Sequence, residues 1–191
     1  DLDGDGDNDI LSASRNDDKI AWYENFDGEI GSQQIISVDA NEPQSVHAAD
    51  LDGDGDLDVL SASYRSNELV WYENLDETRG FSSKKIIATD GTWDVFAADL
   101  DGDGDMDVLS ASPFYDEVLW YENGGAGAFS GAKVISNSVD TPYAVHAADI
   151  DGDGDMDILS ASFSDDTIAW YENLNGDGSF SSARVISSSV D

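Results

Sequence analysis

Residues 50–58 read Asp-Leu-Asp-Gly-Asp-Gly-Asp-Leu-Asp, and an apolar segment, Val-Leu-Ser-Ala-Ser, follows them to residue 63. Five carboxylates in nine residues repel one another unless a cation lies among them. The alternating spacing lets a tight loop turn the side chains at positions 1, 3 and 5 toward one centre. The glycine at position 6, Gly55, allows the positive φ of a sharp turn. The stretch therefore predicts a metal-binding loop that leads into a β-strand.

The acidic stretch occurs four times, starting at residues 1, 50, 99 and 149. Each copy is followed by Leu-Ser-Ala-Ser, a polar turn, a Trp-Tyr-Glu-Asn motif and a short aliphatic segment. Because every feature keeps the same period, we predict one domain of four repeats, 1–49, 50–98, 99–148 and 149–191. Repeat one lacks its first strand, and the sequence stops before another such strand. We therefore expect an array that is cut at both ends.

Each repeat is predicted to contain four short strands, because its apolar segments are bounded by Gly, Asn, Asp and Ser. No segment has the period of a helix. In the third strand Ile20 and Trp22 lie on one side and Ala21 and Tyr23 on the other, so both faces are apolar. The predicted fold class is all-β: a β-propeller-type array of four-stranded antiparallel blades, either a closed ring or part of a larger propeller.

The charge of the chain excludes several classes of partner. Its 42 acidic residues against eight Lys and Arg give a formal net charge of −34. This excludes nucleic acid and anionic lipid as partners, because both are bound through Lys and Arg. No stretch approaches the ~18 apolar residues of a membrane helix, so we expect no membrane insertion. A hydrophobic content of 40%, with five Trp, indicates a folded core rather than disorder.

Calcium is the metal that the loops favour. Their donors are all oxygens, whereas zinc prefers His or Cys, and magnesium keeps more of its water. Position 12 is Ser in every copy, which excludes an EF-hand. The alternative is a solvated acidic turn or a halophile-type surface. That alternative does not explain why Asp and Gly keep the same spacing in four copies, so we predict about four Ca²⁺ ions, one per repeat.

The Asp-x-Asp-x-Asp-Gly-x-x-Asp loop entering an apolar strand, repeated about every 49 residues, resembles the FG-GAP/VCBS repeat family. These are the calcium-loop blades of integrin α-subunit propellers and of many secreted bacterial and algal proteins. The resemblance covers the whole chain. It implies an extracellular β-propeller with calcium between the first two strands of each blade. The Phe-Gly…Gly-Ala-Pro signature of the integrin version is absent, which favours the VCBS-type relatives.

The resemblance also implies the metal ligands. Positions 1, 3, 5 and 9 of each loop would contribute side chains, and position 7 a backbone carbonyl. The side-chain ligands would be Asp1, Asp3, Asp5, Asp9, Asp50, Asp52, Asp54, Asp58, Asp99, Asp101, Asp103, Asp107, Asp149, Asp151, Asp153 and Asp157. The carbonyl ligands would be those of Asp7, Asp56, Asp105 and Asp155.

Aromatic residues are the other candidates for a site. The Trp-Tyr-Glu-Asn motif could stack on sugars, but its place in the middle of a strand favours packing between blades. Trp93 occurs once, where other repeats have Gln44 and Tyr143, and is the better candidate for a specific surface contact. His47 and His146 correspond to Phe96 in repeat three, so an aromatic packing role is predicted for them.

No catalytic site is predicted, and we expect a protein that is not an enzyme. The features that occur once, including Arg79, Trp93, the segment 113–115 and the segment 124–127, form no catalytic constellation. The predicted function is an extracellular or cell-surface calcium-binding module for adhesion, protein–protein interaction or structural assembly. Its partner would be a protein or glycan at the cell surface or matrix. The alternatives are a lectin-like propeller, the non-catalytic part of a polysaccharide-active enzyme, and a self-assembling subunit of an extracellular fibre.

Overall fold

The computed structural model describes residues 1–75 and 80–189, and within them every regular element is a β-strand. The strands form four main antiparallel sheets. Each of the last three takes its first strand from the end of one predicted repeat and its other strands from the next repeat. The prediction of an all-β, propeller-type array of blades is thereby confirmed. Arg79 and the last two residues of repeat four lie outside the described residues.

The first sheet has three strands, since residues 1–9 form an acidic loop with no strand before it. Its strands are β1 (Ile10–Ser14), β2 (Lys19–Tyr23) and β5 (Gln34–Ser37), in that order across the sheet. A small hairpin that the sequence did not predict separates the last two: β3 (Asn25–Phe26) and β4 (Glu29–Ile30).

The other three sheets have four strands each. The second sheet contains β6 (Pro43–Ala49), β7 (Asp58–Ser63), β8 (Glu68–Tyr72) and β11 (Lys85–Ala88), with a small hairpin of β9 (Asn74–Leu75) and β10 (Gly80–Phe81). The third contains β12 (Asp94–Ala98), β13 (Asp107–Ser112), β14 (Glu117–Tyr121) and β15 (Lys133–Ser136). The fourth contains β16 (Pro142–Ala148), β17 (Asp157–Ser162), β18 (Thr167–Tyr171) and β19 (Arg184–Ser187). Within each of these sheets the four strands lie side by side in chain order.

The register of the strands gives each sheet two apolar faces. In the third sheet Leu109 pairs with Trp120, and Val108 pairs with Tyr121. Successive residues of a strand point to opposite faces, so the two pairs lie on opposite sides of the sheet. The prediction that both faces of the Trp-containing strand are apolar is confirmed, because Val118 to Tyr121 are all buried.

The core lies between neighbouring sheets. Each of three hydrophobic clusters mixes residues from two successive sheets and the segments beside them. Between the third and fourth sheets, for example, Leu109 and Trp120 pack with Ile158 and Tyr171. We call the side of each sheet that is turned toward the following repeat its forward face. The forward face of a sheet is therefore buried by the next repeat rather than by its own.

The four sheets form an open array. The first strands of successive sheets are neighbours, with β6 against β12 and β12 against β16. Among the described residues the first and fourth sheets make no extensive contact, and the propeller is not closed. The forward face of the fourth sheet is therefore not covered by another sheet of the described chain.

Candidate functional site

The acidic loops connect the first and second strands of the second, third and fourth sheets, and in the first sheet the loop precedes β1. In the second sheet β6 ends at Ala49 and β7 begins at Asp58, so residues 50–57 form the connection. Its two glycines adopt positive φ, 79° at Gly53 and 99° at Gly55. The sequence predicted this backbone conformation at position 6, and the structure adds position 4. Side chains rarely tolerate this conformation, which accounts for glycine at both positions.

The carboxylate at position 1 holds the loop together. In the second repeat the backbone amides of Gly53 and Gly55 donate hydrogen bonds to Asp50 at 2.7 and 3.0 Å. Asp99 and Asp149 accept the corresponding pair of bonds in the third and fourth repeats. These charge-assisted bonds offset part of the repulsion among the carboxylates and close the loop around its first residue.

Three carboxylates converge in every loop, with one oxygen of each within 4.8 Å of the other two. Positions 1 and 3 belong to the group in all four repeats. Position 5 completes it in repeats one and three, and position 9 in repeats two and four. The groups are Asp1, Asp3 and Asp5; Asp50, Asp52 and Asp58; Asp99, Asp101 and Asp103; and Asp149, Asp151 and Asp157. Four predicted side-chain ligands stand outside these groups of three, namely Asp9, Asp54, Asp107 and Asp153.

Position 9 has a structural role that the sequence did not reveal. Asp58 accepts hydrogen bonds from the amides of Leu51 and Asn74 at 2.9 and 2.8 Å, one at each carboxylate oxygen. It thus ties the start of the loop to the end of the third strand. Burial raises the pKa of Asp58 to about 6 and that of Asp107, at the same position, to about 7. The hydrogen bonds from the backbone amides lower these two pKa values, but they do not cancel the rise that burial causes.

Position 7 was predicted to contribute its backbone carbonyl, and this stays a prediction. The structure shows the hydrogen bonds that the backbone amide and the carboxylate of position 7 make. The amide of Asp105 donates to the carboxylate of Asp103 at 2.9 Å, and Asp155 donates likewise to Asp153. In repeat one the Asp7 carboxylate accepts a bond of 2.7 Å from the backbone amide of Asp27, between the strands of the small hairpin.

The donors fit a hard divalent cation. All the converging groups are carboxylates, and the loops contain neither His nor Cys. Oδ1 of Asp52 is buried and has no hydrogen-bond partner among the described residues. Burial, and then the neighbouring Asp54 carboxylate, raises the pKa of Asp52, and burial raises that of Asp101. A cation among these oxygens would offset both penalties, so the loops match the ligand preference of calcium.

The Trp-Tyr-Glu-Asn motif packs between the sheets, as predicted. Trp71 is only 3% exposed, and Gly127 of the next repeat lies so close to its indole that a Cβ there would overlap the ring. Phe129 approaches the ring edge-on, with centroids 6.4 Å apart. The ammonium of Lys85 lies 4.0 Å from the ring centroid. Trp120 has the same environment one repeat later.

The asparagine of the motif links successive acidic loops, which sequence reasoning missed. The side-chain amide of Asn123 donates to the carbonyls of Leu51 in the preceding repeat, at 2.8 Å, and Met106 in its own, at 3.0 Å. Its backbone amide donates to Asp107 at 2.7 Å. Asn74 and Asn173 bond in the same way. The available signal was the recurrence of Asn in all four motifs.

The two histidines belong to a row of rings, which confirms the predicted packing role. Phe96 lies between them, with ring centroids 4.5 Å from His47 and 4.3 Å from His146. Burial lowers the pKa of His47. All three residues are at equivalent places in the first strands of successive sheets.

Trp93 lies at the opposite end of the sheets from the acidic loops, just before β12, whereas the loop follows β12. Its ring stacks on Tyr143 with centroids 4.8 Å apart and meets Tyr64 edge-on at 5.2 Å. The ring centroids of Phe114 and Tyr64 are 5.4 Å apart. The structure therefore joins Trp93 and part of the segment 113–115, which the sequence left unconnected. We call the set of rings the aromatic ladder: Tyr64, Trp93, Phe114, Tyr143 and Phe163.

The open sheets and repeated loops define a β-propeller-type repeat protein. A family model described as the FG-GAP-like repeat matches residues 1–61, 50–110 and 99–160. The chain belongs to the FG-GAP-like repeat family. No curated protein sequence matches the chain significantly. No helix among the described residues has the length and apolar character that a membrane span requires.

Solved structures that are similar to the chain include the following three. An Agrocybe aegerita lectin that recognises non-reducing terminal N-acetylglucosamine has a TM-score of 0.68 and 22% identity, over 99% of this chain and 51% of the lectin. The Photorhabdus luminescens Tc holotoxin pore has a TM-score of 0.50 and 20% identity, over 94% of this chain and 9% of the pore chain. A V. cholerae biofilm matrix protein has a TM-score of 0.44 and 20% identity, over 90% of this chain and 29% of the matrix protein. The chain spans about half the length of the lectin, and the likeness shows the fold alone.

Proposed function

We propose that the chain is a non-catalytic, extracellular binding module in which each acidic loop holds one calcium ion. The observation that carries this proposal is the convergence of the carboxylates at positions 1 and 3 in all four loops. The remaining predicted ligands, at positions 5, 7 and 9, would bring the set to five residues, and a bidentate carboxylate or water would complete the six to eight oxygens that calcium takes. The partner would be a protein or a glycan at a cell surface or in an extracellular matrix.

The role of calcium in this proposal is structural. When bound, the ion neutralises negative charge among the converging carboxylates. The chain's own residues then transmit the order of the loop: Asp107 ties the loop to the third strand, and Asn123 ties it to Leu51 of the preceding repeat. Each filled loop would therefore stabilise two neighbouring sheets.

An extracellular location is consistent with the proposed calcium role. Extracellular calcium modules bind with Kd values of about 10⁻⁴–10⁻³ M, which suits millimolar calcium outside cells. At ten times Kd, each site contributes about 1.4 kcal/mol to the free energy of unfolding, and four independent sites about 5–6 kcal/mol. This is comparable to the whole stability of a typical domain.

The test is thermal unfolding in millimolar calcium, in chelator and in magnesium. We expect calcium to raise Tm by about 10–25 °C over chelator, and magnesium to raise it less. Asp52→Asn removes one charge from a loop and should lose about a quarter of the calcium-dependent gain. Asp166→Asn removes one charge from an exposed turn outside the loops and should keep all of it. Coincident melts in calcium and chelator would contradict the proposal.

A further inference from the structure

The aromatic ladder is continuous across three repeats. From Tyr64 the rings proceed to Trp93, Tyr143 and Phe163, with successive centroids 5.2, 4.8 and 5.5 Å apart. Tyr64 and Phe163 lie in turns after second strands, and Trp93 and Tyr143 lie at the starts of first strands. Residues from different sheets thus form one surface, which no single repeat contains.

The ladder is exposed at Phe114, Tyr143 and Phe163 and partly buried at Tyr64 and Trp93. Phe163 is 68% exposed, Phe114 is 53% exposed and the adjacent Tyr115 is 61% exposed. Scattered apolar residues are normal on a protein surface, but a contiguous exposed patch marks an interaction site. The ladder is therefore a surface on which a ligand or partner can bind.

The loop beneath Trp93 holds the ladder in place. The backbone amide of Trp93 donates to the Ala111 carbonyl at 2.8 Å. Asp90 accepts hydrogen bonds from Thr92 and from the buried Tyr121 hydroxyl. Gly91, with φ of 73°, lies against Phe114, and a Cβ there would come within 2.9 Å of the ring. A surface that is ordered before binding loses little conformational entropy when a ligand binds.

Polar groups border the ladder at Tyr64. Arg15 and Arg65 both pair with Glu42, at 3.2 and 3.3 Å, and the Arg15 guanidinium lies 5.5 Å from the Tyr64 ring centroid. Arg65 and Asn67, with Tyr64, Phe114 and Tyr115, line an open depression of about 440 Å³. Planar donors and acceptors beside aromatic walls can bind adjacent hydroxyl groups while the rings pack on apolar faces.

The charge of the chain narrows the class of ligand. The formal charge of −34 opposes nucleic acids, anionic membranes and acidic polysaccharides. Both bordering guanidinium groups already share Glu42, so they offer hydrogen bonds without a large local excess of positive charge. A sugar chain without charge combines C–H faces for the rings with hydroxyls for the polar border.

We propose that the aromatic ladder binds a neutral polysaccharide chain across the second, third and fourth repeats. This inference rests on the proposed function as a binding module and names its surface and ligand class. An extended ligand should make more contacts as its length increases, because the rings lie in sequence from Tyr64 to Phe163. A single sugar should bind more weakly than an oligosaccharide.

The experiment is calorimetric titration, in calcium, with neutral oligosaccharides of glucose, mannose, xylose and N-acetylglucosamine of increasing length. Oligosaccharides of uronic acid serve as the charged comparison. Trp93→Gln introduces the residue that the second sheet has at this place, Gln44, so the fold should tolerate it. Phe26→Ala removes an exposed ring outside the ladder and serves as the control.

We expect at least one neutral series to bind more tightly with length, with Trp93→Gln weakening it about tenfold or more and Phe26→Ala leaving it unchanged. Absence of neutral binding, preference for uronic acids, or equal binding by Trp93→Gln would overturn the inference. Binding of a protein instead of any sugar would also overturn it. Thermal unfolding of the same samples distinguishes the two proposals. A calcium-dependent Tm without sugar binding would contradict only the polysaccharide inference. Sugar binding with a calcium-independent Tm would contradict only the calcium role.

Discussion

The forward faces of the third and fourth sheets have nearly the same sequence but different surroundings. In the third sheet Leu109, Ala111 and Val118 are fully buried and Trp120 is 4% exposed, because the fourth repeat covers them. The corresponding residues of the fourth sheet are all partly exposed: Leu159, Ala161, Ile168 and Trp170. The comparison shows that the forward face of a sheet is buried only when a following repeat packs against it. One repeat alone cannot complete its own core.

The largest expected effect comes from comparing two tryptophans. Trp120→Ala should reduce the free energy of unfolding by about 3–5 kcal/mol, since it empties a packed site. Trp170→Ala should cost about 1 kcal/mol or less, because a partly exposed ring loses less on truncation. Urea unfolding in calcium measures both values. Equal losses would mean that the forward face of the fourth sheet is covered in solution, which would break the comparison.

A smaller effect is expected from two asparagines at the same place in the motif. Asn123→Ala removes the buried bond to the Leu51 carbonyl of the preceding repeat and the partly buried bond to the Met106 carbonyl, so it should cost about 1–3 kcal/mol. Asn25→Ala removes a bond to Asn8 within its own repeat, at a partly exposed site, and should cost about 1 kcal/mol or less. Unfolding in denaturant checks the difference, and similar costs would argue against a special role for the link between repeats.

The smallest effect concerns pH in the metal-free protein. The folded-state pKa values of Asp58 and Asp107 are about 6 and 7, above the ordinary value of 3.8. Their protonation therefore stabilises the folded state at low pH, and this contribution is lost as the pH rises through 6 and 7. In chelator we expect Tm to increase between pH 7.5 and pH 5, and Asp107→Asn to show a smaller increase.

Calcium should reverse the sign of that pH dependence, because protons compete with the ion for the same carboxylates. Melts at pH 5 and pH 7.5, each with calcium and with chelator, measure this reversal. A chelator profile that falls toward pH 5 would show that burial does not control these carboxylates.

The repeat period predicted most of the local structure. Leu-Ser-Ala-Ser and Trp-Tyr segments formed the second and third strands, and the positive φ predicted at Gly55 is present. These features depend on residues a few positions apart, which sequence shows directly. The small hairpin from Asn25 to Ile30 was missed, because its two-residue strands are too short to give an alternating pattern.

The candidate sites likewise include parts that the sequence predicted and parts that only the structure revealed. The sequence predicted the acidic loops because all their carboxylates lie within nine residues of one another. It did not reveal that Asp58 ties the loop to Asn74, or that Asn74 reaches Leu2, because these pairs are 16 and 72 residues apart. The aromatic ladder was missed for the same reason: Tyr64, Trp93 and Tyr143 are far apart in the chain and lie in or beside three different sheets.

The sequence by itself determined the number of repeats, their strands and the chemistry of the loops, since these follow from local spacing of Asp, Gly and apolar residues. Tertiary structure alone decided which copy of each motif is buried and which rings meet. Trp120 and Trp170 belong to the same motif, yet only Trp120 has the glycine and phenylalanine of a following repeat against its indole. The physical reason is that hydrophobic burial and ring contact require two surfaces, and the second surface comes from residues far away in the chain.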